Sequence, residues 1–488
     1  MFNLQRKLFG FKLSFKLFQY ILFACSLQLI ANSSLFAQDN SPYSRYGLGD
    51  LHPNTNIYSR GMAGLSAAYS EPPIDGLSDP RIGKSYPLIN FSNPASYSRF
   101  YAIKEAKSKK LTYGRMLLDV GINFSSHTLH EANRPQSFTS TNLYFSYLQI
   151  GVPIKKNWGL VFGLRPLSAI NYKIDRNERV HDPVTGQPID SALTQFAGDG
   201  GAYLFNTGTG FAIGNFSLGV NAGYLFGQKN YSTLRRFIND TIAYSASNHQ
   251  TKTNYGGLFF NAGMQYRIDL NKDKSKSKYL QFGAFGNIQQ KLNTRSDIIR
   301  ETYYVDQSDG SQLRLDSVNV QSDIRGKIEY PASFGGGFII EQLAEVKKNG
   351  WLFGVDLLTT NWDKYSFNGQ ADALKSNWQV KIGGQIRPRL KDTYKSLLAY
   401  RAGMYFGDDY VYINNQKLPV WGITAGISLP IANLKDASRR FRTQYSIVNI
   451  SAEYIKRGNN DNPINENQFR LSAGFTLSDL WFTKRKYD

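Results

Sequence analysis

Apolar and polar positions alternate along this chain with a period of two. In Trp421-Gly422-Ile423-Thr424-Ala425-Gly426-Ile427-Ser428-Leu429 most odd positions are large and apolar, and every even one is Gly, Ser or Thr. A strand turns successive side chains to opposite faces, so this segment has one greasy face and one small, polar face. The pattern recurs at 118–125, 143–152, 158–172, 203–213, 216–226, 258–268 and 280–288, and again at 328–340, 351–359, 378–386, 398–406, 421–429, 448–454 and 469–477. These stretches predict fourteen strands, with the register of the second slipping near Leu148 at a bulge. Gly214-Asn215 reads as a two-residue hairpin turn. Fourteen is even, as a single-chain antiparallel barrel of the outer-membrane type requires.

The connections support a barrel that crosses a membrane. The segments 153–157, 214–215 and 271–278 are short, whereas 173–199, 229–252 and 289–325 are long and read as solvated outer loops. A soluble sandwich would put charges on its second faces. Here those faces carry Gly121, Gly159, Gly163, Gly219, Gly223, Gly263, Gly383, Gly403, Gly422, Gly426 and Gly474. Glycine weakens a strand unless another backbone or a ligand comes close, so the lumen is expected to be filled. The expected filling is the N-terminal segment 38–110, which lacks strand alternation. It carries Tyr43, Tyr46, Leu48, Leu51, Tyr58, Met62, Leu65 and Tyr69, too apolar for a solvated linker.

The first residues set the compartment. Arg6, Lys7, Lys12 and Lys16 form a basic region before an apolar run, and Leu35-Phe36-Ala37 offers a cleavage site. The expected division is therefore signal peptide 1–37, plug (hatch) 38–110 and transmembrane barrel 111–488, exported to the outer membrane of a Gram-negative cell. The alternatives are an uncleaved anchor and a lipoprotein attached at Cys25. Cys25 is the one cysteine, so the mature chain has no disulfide framework, thiol nucleophile or thiolate metal site. Aromatic residues make up 14% of the chain, a proportion suited to girdles at two membrane interfaces. Subtracting the four basic residues of the signal from 57 leaves 53 against 37 acidic, a net +16. That charge, expected to be spread through turns and loops, suits contact with anionic outer-membrane lipid and lipopolysaccharide rather than nucleic acid.

Several motifs resemble those of FadL-type outer-membrane transporters. Arg60-Gly61-Met62-Ala63-Gly64-Leu65-Ser66-Ala67 followed by Asn93-Pro94-Ala95 looks like that family's hatch, with Met62-Ala63 in place of its usual small pair. Pro331-Ala332-Ser333-Phe334-Gly335-Gly336-Gly337, then Gly354, Asp356 and Asn361-Trp362, resemble its later strands, and Asp479 to Lys486 resembles the C-terminus of one branch. The resemblance implies a fourteen-stranded all-β barrel with an N-terminal hatch. It implies passive uptake of small hydrophobic, fatty-acid-like molecules, leaving sideways through a gap at the third strand. The alternative is a non-transporting scaffold or shuttle subunit of an outer-membrane secretion or assembly complex. A pocket of at least ~300 Å³ with apolar walls would favour transport. A solid lumen with an exposed apolar patch on the outer loops, such as Tyr410-Val411-Tyr412-Ile413, would favour the scaffold.

Pro166 lies inside the third ladder and cannot donate to the sheet. Either it opens the ladder as a lateral gate, or the strand has ended at Leu164 and Pro166 begins an outer loop. By parity Asp119, Arg165, Arg267, Lys381, Gln385, Arg387 and Arg401 face inward. They either anchor the hatch or, as Lys381, Arg387 and Arg401 suggest, receive an acid head group. An enzyme is not expected. His52, His127, His130, His181 and His249 fall in the plug or in predicted loops, Gly208-Thr209-Gly210 lacks a following Lys-Ser/Thr, and no Gly-x-Ser-x-Gly elbow occurs. No cofactor or metal is implied.

Overall fold

A computed structural model describes residues 41–481 except 71–87, 101, 105–110, 132–134, 239–244, 272–277, 306–311, 390, 392, 414 and 432–444. The expected signal peptide lies outside these residues, as does the C-terminal motif beyond Trp481.

The period-two pattern forms fourteen antiparallel strands. They are β1 (Leu111–Glu131), β2 (Ser137–Lys155), β3 (Trp158–His181), β4 (Pro188–Ile213), β5 (Phe216–Phe237) and β6 (Ala246–Asp269). Next come β7, interrupted between Lys278–Asn287 and Gln290–Val305, and β8, interrupted between Gln312–Tyr330 and Ser333–Gln342. β6 pairs with both parts of β7, and each part of β7 pairs with one part of β8, so each interruption sits within one continuous strand. The rest are β9 (Gly350–Thr360), β10 (Asn377–Arg387), β11 (Ala399–Ile413), β12 (Gln416–Ile431), β13 (Tyr445–Arg457) and β14 (Ile464–Trp481). β14 pairs with β1 from Ile464↔Glu131 to Trp481↔Gly114, which closes the barrel.

The outer face is apolar over a limited height. On β5 it shows Phe216, Leu218, Val220, Tyr224 and Phe226, and then turns polar at Gln228. Ten steps of about 3.3 Å at a tilt of about 40° cover roughly 25 Å, the height of an outer-membrane apolar band. Aromatic side chains mark both edges, with Trp158, Phe216, Trp351 and Tyr400 near the short turns and Trp378, Trp421 and Tyr454 toward the other end.

Beyond this band the structure departs from the expectation of long solvated loops. The segments 173–199, 229–252 and 289–325 are largely strand. β5 and β6 stay paired out to Arg235↔Ser247, and β7 and β8 out to Val305↔Gln312. Strands β3 to β8 thus continue past the band as a six-stranded sheet. The polar composition of these stretches reflects polar side chains on both faces of the sheet, not missing structure. The histidines assigned to loops follow suit. His127 and His130 lie on β1, His181 ends β3 and His249 lies on β6.

The slip in β2 is a bulge at Ser146, between the pairs Gly121↔Tyr147 and Ile122↔Phe145. It turns two consecutive side chains inward, Ser146 and Tyr147, which a regular strand cannot do.

Candidate functional site: the filled lumen

The N-terminal segment lies against the inner face of the barrel, and its own sequence supplies the turns. Asn56 caps the short helix Ile57–Arg60, its Oδ1 accepting from the Ser59 N–H at 2.8 Å. Asn93 caps the 3₁₀ helix Pro94–Arg99, accepting from the Ala95 N–H at 3.1 Å, with Pro94 at the first helical position. Between them Ala63 and Gly64 take left-handed φ values of 57° and 75°. These turns fold 41–70 and 88–100 into a body whose Met62, Leu65, Ile89, Ala95 and Tyr97 have no solvent exposure.

The inward glycines receive this body. A Cβ on Gly283 would lie 1.9 Å from the Ala67 carbonyl oxygen, one on Gly219 2.2 Å from the Pro94 carbonyl carbon, and one on Gly383 2.5 Å from the Met62 oxygen. On Gly426 it would lie 2.8 Å from the Gly61 Cα. Backbone touches backbone there, which meets the expectation drawn from the glycine-rich faces.

Polar side chains on the same parity hold the segment. Arg60 is buried and donates to Asn123 Oδ1 at 2.6 Å, to Ser146 Oγ at 2.7 Å and to the Thr55 oxygen at 3.1 Å. The β2 bulge therefore supplies one of its acceptors, and the Tyr147 hydroxyl from the same bulge accepts from the Ile57 N–H at 3.1 Å. Asp356 Oδ2 accepts from the Ser66 and Ala67 N–H groups at 2.6 and 2.8 Å. Asn93 Nδ2 donates to the Ala67 oxygen at 2.6 Å.

The predicted lumen cations are spread over several tasks. The Arg401 guanidinium stacks 3.3 Å over the Tyr58 ring and donates to Gln385 at 2.9 Å and to Ser428 at 2.6 Å. Arg387 donates to the Tyr58 hydroxyl at 2.6 Å. Arg165 lies 5.2 Å over the Phe91 ring. Arg267 serves the barrel wall, 3.7 Å over Tyr279 and 3.0 Å from Asp269. Lys381 lines a cavity and is the register partner of Asp356. Four of the five thus sit on side chains of the protein itself.

That cavity, about 370 Å³, lies between 48–55 of the segment and inward residues of β1–β3 and β6–β14. Its walls include Asp50, Arg60, Asp409, Glu453, Arg457 and Arg470. Arg457 is the hub, pairing with Asp50 at 2.8 Å, Asp409 at 2.9 Å and Glu466 at 3.4 Å. Glu466 also accepts from Ser41, and Arg470 pairs with Glu453 at 3.2 Å. None of this network was singled out from the sequence, although Glu453 and Arg470 stand at inward positions of the last two ladders. The expected aromatic patch is absorbed as well. Tyr410 and Val411 are buried, Tyr410 stacking 4.6 Å from Trp362 and donating to the Gly49 oxygen at 2.6 Å.

Pro166 does not begin a loop, because β3 runs through it to His181. Its register against β4 shifts between Pro166 and Ser168. On the other side, pairing with β2 stops at Leu148↔Leu164. Past that point β2 and β3 part, and the N-terminal segment enters the cleft. Asp50 and Leu51 pair with Ala169 and Ser168 of β3, the His52 N–H donates to the Leu167 oxygen at 2.8 Å, and the His52 ring stacks 4.4 Å from Tyr144 of β2. Burial between Arg470 and Arg60 pushes the His52 imidazole down to about 3, so it is neutral.

Three solved structures illustrate what the chain is similar to. The Pseudomonas putida toluene transporter TodX is 14% identical, with 88% of this chain and 99% of that one covered at a TM-score of 0.48. A Pseudomonas aeruginosa FadL homologue is 12% identical, covering 89% and 100% at 0.47. The Ralstonia pickettii toluene transporter TbuX is 11% identical, covering 88% and 98% at 0.45. No curated protein matches the sequence. The family model described as BamG matches residues 18–488, nearly the whole length. The chain therefore belongs to the BamG family.

Proposed function

We propose that this protein is a non-transporting barrel that serves as a structural subunit of an outer-membrane assembly complex. The reading takes 1–37 as a signal removed on export, 38–110 as a permanent plug and 111–488 as the barrel. The observation that carries it is the wall of the lumen cavity. Its volume exceeds the ~300 Å³ a small hydrophobic ligand needs, but beside apolar Leu51, Phe259, Trp362 and Ile455 its wall carries the Arg457 hub and the Arg470–Glu453 pair. An apolar guest would strip water from those charges without replacing it. Membership of the BamG family supports the same reading. Arg60, Gly61, Gly64, Asn93, Pro94 and Ala95 then seat the plug, and Arg165, Arg387 and Arg401 clasp it. Leu313, Leu315, Val318 and Val320, exposed on the outer part of β8, offer apolar contact to a partner. The test is complementation: the protein, produced in a strain lacking its fatty-acid uptake channel, leaves growth on long-chain fatty acids unrestored. Restored growth would overturn the reading.

One observation favours the rival, uptake of small hydrophobic molecules with lateral release. It is the parting of β2 from β3 beside Pro166, next to the cavity. In that case Leu51 and His52 would withdraw from the cleft, and a disulfide tying residue 51 to β2 would abolish uptake.

A further inference from the structure

The sheet that β3 to β8 raise beyond the apolar band has two lateral edges, and they are built differently. Short turns face the periplasm in barrels of this type, so this sheet stands on the cell-surface side. A sheet edge is a row of backbone N–H and C=O groups with no strand beside them, and proteins ordinarily guard it with charge. The β3 edge follows that rule. Among the described residues 173–180 pairs with β4 alone, and it carries Lys173, Asp175, Arg176, Glu178 and Arg179.

The β8 edge breaks it. Among the described residues 312–325 pairs with β7 on one side and with no strand on the other. Leu313, Leu315, Val318 and Val320 are each more than half exposed there. The charges of the stretch are engaged within the sheet. Arg314 lies 3.5 Å from Glu301, and Asp323 lies 3.7 Å from Arg295 and 3.4 Å from Arg325. An incoming chain therefore meets backbone and apolar side chains. The foot of the same edge already takes a strand. Ser366 and Phe367, from the connection between β9 and β10, pair with Glu329 and Ile328, and the Asn368 N–H donates to the Lys327 oxygen at 2.8 Å. The ladder with β7 skips Leu315 and Val318. Such bulges twist a strand, so the edge suits a partner of matching twist and resists pairing with flat strands at random. A second copy of this chain would bring the charged β3 edge, which offers no match for the four apolar side chains.

We propose, resting on the reading of this protein as a complex subunit, that the 312–325 edge of β8 docks one extended segment of a partner protein at the cell surface. The segment adds to the sheet as a further strand. Main-chain hydrogen bonds hold it, and Leu313, Leu315, Val318 and Val320 select apolar side chains on it. The lumen and its plug take no part.

Amide hydrogen exchange on the full-length protein, extracted with its partner from its own outer membrane and compared with the barrel purified alone, tests this. Exchange at 313–321 should slow by about a hundredfold or more in the complex, while 174–180 on the β3 edge exchanges alike in both. The variant V318E/V320E should lower the copurified partner by about tenfold or more and leave exchange at 66–68 of the plug unchanged. With the charges of the edge already engaged, the natural complex should persist at about 1 M salt. Should the variant fail to fold, the exchange comparison on the natural protein decides alone. A partner retained in full by the variant, with 313–321 exchanging as fast as in the bare barrel, would overturn the inference and leave the subunit reading standing. A barrel extracted with no protein partner would overturn both. A photo-crosslink from position 318 to a second copy of this chain would overturn the assignment of the edge to a different protein.

Discussion

Replacing Asp356 with alanine should release the central turn of the plug while leaving the barrel closed. The carboxylate is fully buried, and one of its oxygens accepts from both the Ser66 and Ala67 N–H groups, at 2.6 and 2.8 Å. Alanine offers no acceptor. A buried donor left without a partner costs about 1–3 kcal/mol, so two cost roughly 2–6 kcal/mol. At about 1.4 kcal/mol per factor of ten, a mid-range loss of ~4 kcal/mol multiplies the population of the detached turn by about a thousand. The ladders of β9 with β8 and β10 use backbone groups and persist. Amide hydrogen exchange in vesicles reads both parts. Protection at 66–68 should collapse by two to three orders of magnitude, on the same estimate, while protection along β9 stays unchanged. Asp356→Asn keeps one oxygen acceptor and should fall between. Unchanged exchange at 66–68 in the alanine variant would refute the anchoring role, and loss of protection along β9 as well would mean that plug and wall are not separable.

Further outcomes follow from the same geometry. Gly283→Val places a side chain where the Ala67 carbonyl stands, 1.9 Å from the built Cβ. Neither backbone can yield cheaply, so the plug should become accessible to protease while heat-modifiable migration on gels still reports a barrel. Arg457→Met leaves Asp50, Asp409 and Glu466 facing one another without their common cation. Removing one partner of a buried pair costs about 3–5 kcal/mol, and thermal unfolding followed by circular dichroism should shift down accordingly. His52 binds a proton more readily when free, near 6.5, than when seated, near 3. Seating should therefore weaken as pH falls below about 6.5, and His52→Gln should flatten that part of the exchange profile measured between pH 7 and 4.

The strands were legible because lipid on one side and a packed lumen on the other impose the same period on each of them. Trp421 to Leu429 shows both faces at once. The glycines revealed that something fills the lumen, since a side chain at Gly219 or Gly383 would meet the backbone of the segment inside. The tall outer sheet was not legible. Its inward face is polar even where it is buried, as at Thr253, Thr294 and Ser296, so polarity does not mark the pleat there. The Arg457 hub was hidden for another reason. Its three anionic partners, Asp50, Asp409 and Glu466, are far apart along the chain and lie outside the predicted ladders, so parity assigns them no face. Pro166 sits beside a register shift between β3 and β4. That the N-terminal segment would add to β3 beside it depends on tertiary contact alone.

Native mass spectrometry of the protein extracted from its own outer membrane tests the central claim most directly, because a single spectrum reports both protein partners and bound small molecules. The account predicts the barrel in fixed proportion with at least one other protein and without a fatty-acid-sized adduct. A solitary barrel carrying one such adduct would contradict it.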